Sequence, residues 1–129
     1  MAFKKVFESG PRLIDGDLLN RALGYGIESW ASGITAKAAG TVVNSPLLTE
    51  NISQVDTVVT GGDGVAIPAA LPGDYIWIIN NSANAIQVFA QGGSTINGTA
   101  GATGLSQAGN KVAGYVCAKA GAWFRLLSA

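Results

Sequence analysis

Histidine is absent from this 129-residue chain, cysteine occurs once, and charged residues make up only 12% of it. Without histidine there can be no Ser-His-Asp or Cys-His nucleophile system, no imidazole metal ligand and no imidazole general base. The lone Cys117 permits no internal disulfide. It lies in an apolar alternating run with no base to activate it, and reads as a small buried hydrophobe. No run approaches the roughly 18 apolar residues of a membrane-crossing helix. Lys4 and Lys5 are followed by a mixed segment instead of an apolar stretch, so no signal peptide is expected and synthesis in the cytoplasm is. Eight basic and eight acidic residues cancel, and neither sign forms a long run. A basic face for phosphate, and with it direct nucleic-acid binding, is therefore not expected.

The hydrophobic share, 48%, is ordinary, so the missing charges have given way to Gly, Ala, Ser, Thr and Asn. The deficit is uneven. From Tyr75 to Asn110 no charged side chain occurs. A soluble monomer keeps charges of both signs on its surface to stay dispersed, so an uncharged stretch of this length calls for a covering partner.

Little else offers chemistry. Asp56, Asp63 and Asp74 are the only acids after Glu50, and a carboxylate pair could in principle hydrolyse a glycoside. Asp63 and Asp74 stand beside glycine, where Asp serves turns by bonding nearby amides. Gly61-Gly62-Asp63-Gly64 lacks the Gly-Lys-Ser/Thr ending of a phosphate loop and opens a strand, so it reads as a hairpin turn. Asp15-Gly16-Asp17 is too short for a calcium loop and reads as a helix cap. Trp30, Trp77 and Trp123 could stack on sugar rings, but their positions suit core or interface packing better. No catalysis, metal or cofactor is expected.

The organisation changes near Gly40. Residues 1–14, with Phe3, Lys4, Lys5, Val6 and Phe7, read as an extended arm hinged at Gly10-Pro11. Leu19, Leu23, Ile27 and Trp30 follow at helical spacing and make one apolar stripe, weakened by Gly24 and Gly26. That stripe must pack on the β-domain or on another subunit. Residues 32–41 read as a linker, giving a division into 1–40 (arm, short helix, linker) and 41–129 (a β-sandwich domain). Strands are expected at 42–50, 55–60, 64–67, 75–80, 84–90, 94–97, 111–118 and 122–127, separated by Gly, Asn and Asp turns. The expected fold is all-β: a jelly-roll-like sandwich or small barrel of about eight short strands, preceded by the arm and helix. Tyr75-Ile76-Trp77-Ile78-Ile79 is apolar on both faces, as suits a central strand covered inside by the core and outside by a partner. The last two strands should form a hairpin through Lys119-Ala120-Gly121.

Several of these segments resemble known proteins. Asp63 to Ala70, Gly73 to Asn81, Asn84 to Phe89, Thr95-Ile96-Asn97-Gly98 and Ala120-Gly121-Ala122-Trp123 are similar to a β-domain common in structural proteins of tailed bacteriophages. Phe7-Glu8-Ser9-Gly10-Pro11-Arg12-Leu13-Ile14-Asp15-Gly16 resembles the opening of short phage virion proteins. The resemblance covers about half the chain and carries no catalytic motif. It implies a virion structural protein of the head decoration (cement) or head-fibre type. Tail-fibre shafts are built on long repeats or heptads, which this chain lacks, so the expectation is a capsid cement protein on the capsid surface, forming a homotrimer. Phe3, Lys4, Lys5, Phe7, Arg12, Leu19, Leu23, Ile27 and Trp30 would then contact the major capsid protein. Tyr75, Trp77, Ile79 and Phe89, within the uncharged 75–110 surface, would join subunits. The alternatives are a head fibre or tail-fibre adaptor, or a receptor- or carbohydrate-binding virion module.

Overall fold

β-Branched and aromatic runs between glycine and asparagine turns become ten strands in the computed structural model, which describes residues 29–128. They are β1 (Trp30–Thr35), β2 (Ile52–Thr57), β3 (Asp63–Ile67), β4 (Tyr75–Asn80), β5 (Ile86–Ala90), β6 (Thr95–Ile96), β7 (Thr99–Ala100), β8 (Leu105–Gln107), β9 (Lys111–Lys119) and β10 (Ala122–Leu127). Seven form one sheet in the order β1-β2-β4-β9-β10-β6-β7, and three form a second, β3-β5-β8. Among the described residues the fold is all-β, with no helix.

The path is solenoid-like, and this corrects the jelly-roll expectation. β1, β2 and β4 run parallel in the large sheet, and β3 and β5 run parallel in the small one. A jelly roll is built from antiparallel Greek keys. Here each corner carries the chain across to the opposite sheet, so the next strand in the first sheet arrives a full turn later, pointing the same way. Trp30 pairs with Ile52 and Ile52 with Trp77, so the turns are 22 and 25 residues long. Antiparallel pairing enters with the β6–β7 hairpin and continues in the last part: β8 lies antiparallel to β5, β9 to β4 and β10 to β9. That reversal covers the end of the coil, the role that terminal repeats play in solenoids. Among the described residues β1 and β7 remain as edges of the large sheet, and no barrel closes.

Corners are held by short polar side chains. Asp63 accepts hydrogen bonds from the amides of Val59 and Thr60, both at 3.0 Å. This corner joins two sheets and is not the hairpin turn that Gly61-Gly62-Asp63-Gly64 suggested. It stacks on the next corner, where Asn84 Nδ2 donates to the Val58 carbonyl at 2.8 Å and Gly62 N donates to the Ala85 carbonyl at 2.8 Å. True hairpins occur at Asn97-Gly98, with φ values of 51° and 82°, and at Gly121, with φ of 81°.

The start of the described chain also differs from expectation. Trp30 opens strand β1 instead of closing a helical stripe, and β1 occupies part of the expected linker. Gly33, at φ 71°, lies where the β1–β2 register shifts. The strand expected at 42–50 is absent. Pro46 interrupts it, and the segment touches the small sheet through a single bridge, Leu47 to Ala66. The arm, the cap at Asp15-Gly16-Asp17 and the stripe positions Leu19, Leu23 and Ile27 lie outside the described residues.

Inward side chains of both sheets make one core. Val55, Ile76, Ile78, Ala113, Tyr115, Cys117 and Trp123 come from the large sheet, and Val65, Ile67, Ile86 and Val88 from the small one. Burying each large side chain stabilises the fold by about 1.5–3 kcal/mol. Cys117 is buried as expected, and Trp123 is wholly buried with its Nε1 donating to the Pro68 carbonyl at 3.0 Å.

Candidate assembly surface

Alternation along three adjacent strands builds an exposed apolar face. In β4 Ile76 and Ile78 turn inward, leaving Tyr75, Trp77 and Ile79 on the outside. In β9 Ala113, Tyr115 and Cys117 turn inward, leaving Val112, Gly114 and Val116 outside. In β10 Trp123 turns inward, leaving Phe124 and Leu126 outside. The register aligns these outward positions in rows across the sheet. One runs Trp30, Ile52, Trp77, Gly114, Leu126, and the next runs Tyr75, Val116, Phe124.

Exposure is large for apolar side chains. It rises from 37% at Val112 through 40% at Trp77 to 57% at Phe124 and 72% at Leu126. Contiguous patches of this kind mark interaction sites. At Gly114 a side chain is excluded: a Cβ there would come within 2.7 Å of the Trp77 ring, which lies over the glycine and flattens the middle of the face. Beside it is a groove of about 310 Å³ between Gly73, Tyr75, Trp77, Val116 and Cys117.

Electrostatically the face is nearly blank. Of the outward positions on β2, β4, β9 and β10, only Asp56 is charged, and it stands at one corner. Its carboxylate accepts from Asn81 Nδ2 and Gln54 Nε2, both at 2.8 Å, and from the Gly33 amide at 2.6 Å. The side-chain donors of Asn81 and Gln54, then the Gly33 amide, hold its pKa below the usual carboxylate value. Asp56 thereby ties β1, β2 and the end of β4 together as a rim clasp.

The structure brings Tyr75, Trp77 and Ile79 together on this face, but Phe89 lies elsewhere. Phe89 is buried on the outer side of the small sheet, where its ring packs close to Gly64 and Gly104. The uncharged 75–110 segment is thus not one surface: it passes from the large sheet to the small one and back, and much of it is interior. Trp30, expected to meet the capsid, pairs at the edge of the apolar face. Phe3, Lys4, Lys5, Phe7, Arg12, Leu19, Leu23 and Ile27 lie outside the described residues. Sequence reasoning missed Val112, Val116, Phe124 and Leu126. The signal was present in Trp123-Phe124-Arg125-Leu126-Leu127, which, like Tyr75–Ile79, is largely apolar on both faces.

Other chemistry is sparse. Asp56, Asp63 and Asp74 are dispersed among corners and rim, and among the described residues no group of three or more His, Cys, Asp or Glu could hold a metal ion. Comparison with protein-family models, with curated proteins and with solved structures returned no match.

Proposed function

We propose that this chain is a structural part of a tailed-phage particle: a capsid cement protein that binds the outer capsid surface, bridges neighbouring capsomers and stabilises the DNA-filled head. The observation that carries the reading is the apolar outer face of the seven-stranded sheet, which has a single charge at its corner. Such a face suits a protein that lives in an assembly. The phage-like segments described above supply the particle. The chain acts by adding contact area and not by turning over a substrate. Each copy bound across a capsomer boundary adds interface that must break before the shell opens. The major capsid protein is the partner, and neither nucleic acid nor a membrane is.

Depleting the protein from particles and heating them tests this. Depleted heads should release DNA at a lower temperature, and adding the purified chain back should restore retention. Unchanged DNA retention after depletion would refute cementing. A second reading, a head fibre or tail-fibre adaptor, draws support from the stacked parallel turns, which suit a projecting module. Electron microscopy of particles separates the two, since cement lies flat on the shell and a fibre stands off it.

A further inference from the structure

We infer that the apolar face of the large sheet is covered by another copy of this chain, with Trp77, Val116, Phe124 and Leu126 at the centre of the subunit contact. The inference takes its surface from the reading above but does not depend on the capsid.

Area is the first argument. The exposed parts of Trp30, Tyr75, Trp77, Val112, Val116, Phe124 and Leu126 add up to on the order of 700 Å², against about 800 Å² per partner in a standard specific interface. One face therefore supplies nearly a whole partner's share.

Chemistry is the second. Surfaces that associate and dissociate are about as polar as the rest of a protein, whereas interfaces between identical subunits are more apolar and poor in charge at their centre. The middle of this face, from Trp77 across Gly114 to Val116, Phe124 and Leu126, has no charged side chain. A face of that kind must be covered as soon as the chain folds. A second copy is present at that moment and in equal amount. Asp56 stays at the rim with its oxygens already engaged, so closing the contact buries no unpaired carboxylate.

Relief is the third. Leu126 and Phe124 stand proud, while Gly114 under the flat Trp77 ring and the groove beside Tyr75 lie lower. Projections and hollows on one face let identical faces interdigitate at the spacing of about 10 Å usual for stacked sheets.

The test is light scattering on the purified full-length chain across a range of concentrations, with Phe124→Glu and Leu126→Glu as disrupting variants. Val59→Glu, exposed but off this face, is the control. Wild type and Val59→Glu should have a mass of at least two 13.1 kDa chains, two for identical faces packed on each other, whereas the trimer expected from the sequence would need the face to meet a different patch of its neighbour. The two face variants should associate at least 100-fold more weakly while keeping the far-ultraviolet circular dichroism of the wild type. A wild-type mass of one chain at all concentrations overturns the inference, as does an unchanged mass in both variants. If the single chain shields Trp77 from a neutral fluorescence quencher, residues 1–28 cover the face instead, and the inference also fails. A monomer that still protects depleted heads would sink self-association and spare the cement reading. An oligomer that does not protect them would do the reverse.

Discussion

Gln107 shows how much one buried amide can organise. It is fully buried, its Nε2 donates to the carbonyls of Ile78 at 2.9 Å and Lys111 at 3.1 Å, and its Oε1 accepts from the Tyr115 hydroxyl at 3.0 Å. β8 is thereby locked to β4 and β9. Gln107→Leu keeps the volume but leaves the hydroxyl without that acceptor, at about 1–3 kcal/mol for each orphaned group. Urea unfolding should show a loss of about 2–4 kcal/mol, part of which returns when Tyr115→Phe is added. Burial also pushes the Tyr115 pKa up to about 12, against an opposing pull from Arg125. Its contribution to stability is full below the unfolded value of about 10 and is lost as pH rises through the folded one. Asp56 has the opposite sign. Its folded pKa lies below the usual carboxylate value, so its contribution is present above that value and is lost as pH falls through the folded pKa. Asp56→Asn should flatten the acid limb of a thermal-melting profile between neutral pH and pH about 3, and an unchanged acid limb would contradict the clasp.

At the level of elements, the corners decide which glycines matter. Gly101 follows β7, where its amide donates to the Ser94 carbonyl at 2.8 Å and its own carbonyl accepts from Ala90 at 3.1 Å. A Cβ at Gly101 would collide with the carbonyl oxygens of Ala90 and Ser94, backbone atoms that cannot step aside alone. Gly98 has open space around it but a φ of 82° in a tight turn. Gly61 has open space and no positive φ. The same change to alanine should therefore cost about 1–3 kcal/mol at Gly101, about 1 kcal/mol at Gly98 and nothing at Gly61, where a stiffer unfolded chain favours alanine slightly. Thermal melting of the three variants under one condition gives the order directly.

For the molecule as a whole, the self-association proposed above would couple stability to assembly. A fold whose sheet is covered only in the oligomer gains stability by mass action, so its melting temperature should rise with protein concentration. Phe124→Glu should abolish that dependence, and a wild-type melting temperature independent of concentration would count against a shared face. The parallel turns make most pairings distant in sequence, Ile52 with Trp77 and Asp63 with Ile86 among them. Folding by such contacts is slow, because loop closure is incurred before the pairs form.

What the amino-acid order determined by itself is the local part. The strands at 75–80, 111–119 and 122–127, the Asn97-Gly98 turn, the closing hairpin and the burial of Cys117 follow from alternation and turn chemistry, which act over a few residues. The both-sides-apolar reading of Tyr75–Ile79 likewise located a central strand with an exposed apolar outer side. The handing of strands between two sheets was decided only by tertiary structure. A corner and a hairpin use the same Gly, Asn and Asp residues, and nothing local says whether the chain turns back beside its last strand or crosses over. Parallel pairing depends on contacts 22 to 25 residues apart, and the alignment of Trp77 with Gly114 and Leu126, which turns scattered apolar residues into one surface, depends on antiparallel pairs 37 and 12 residues apart.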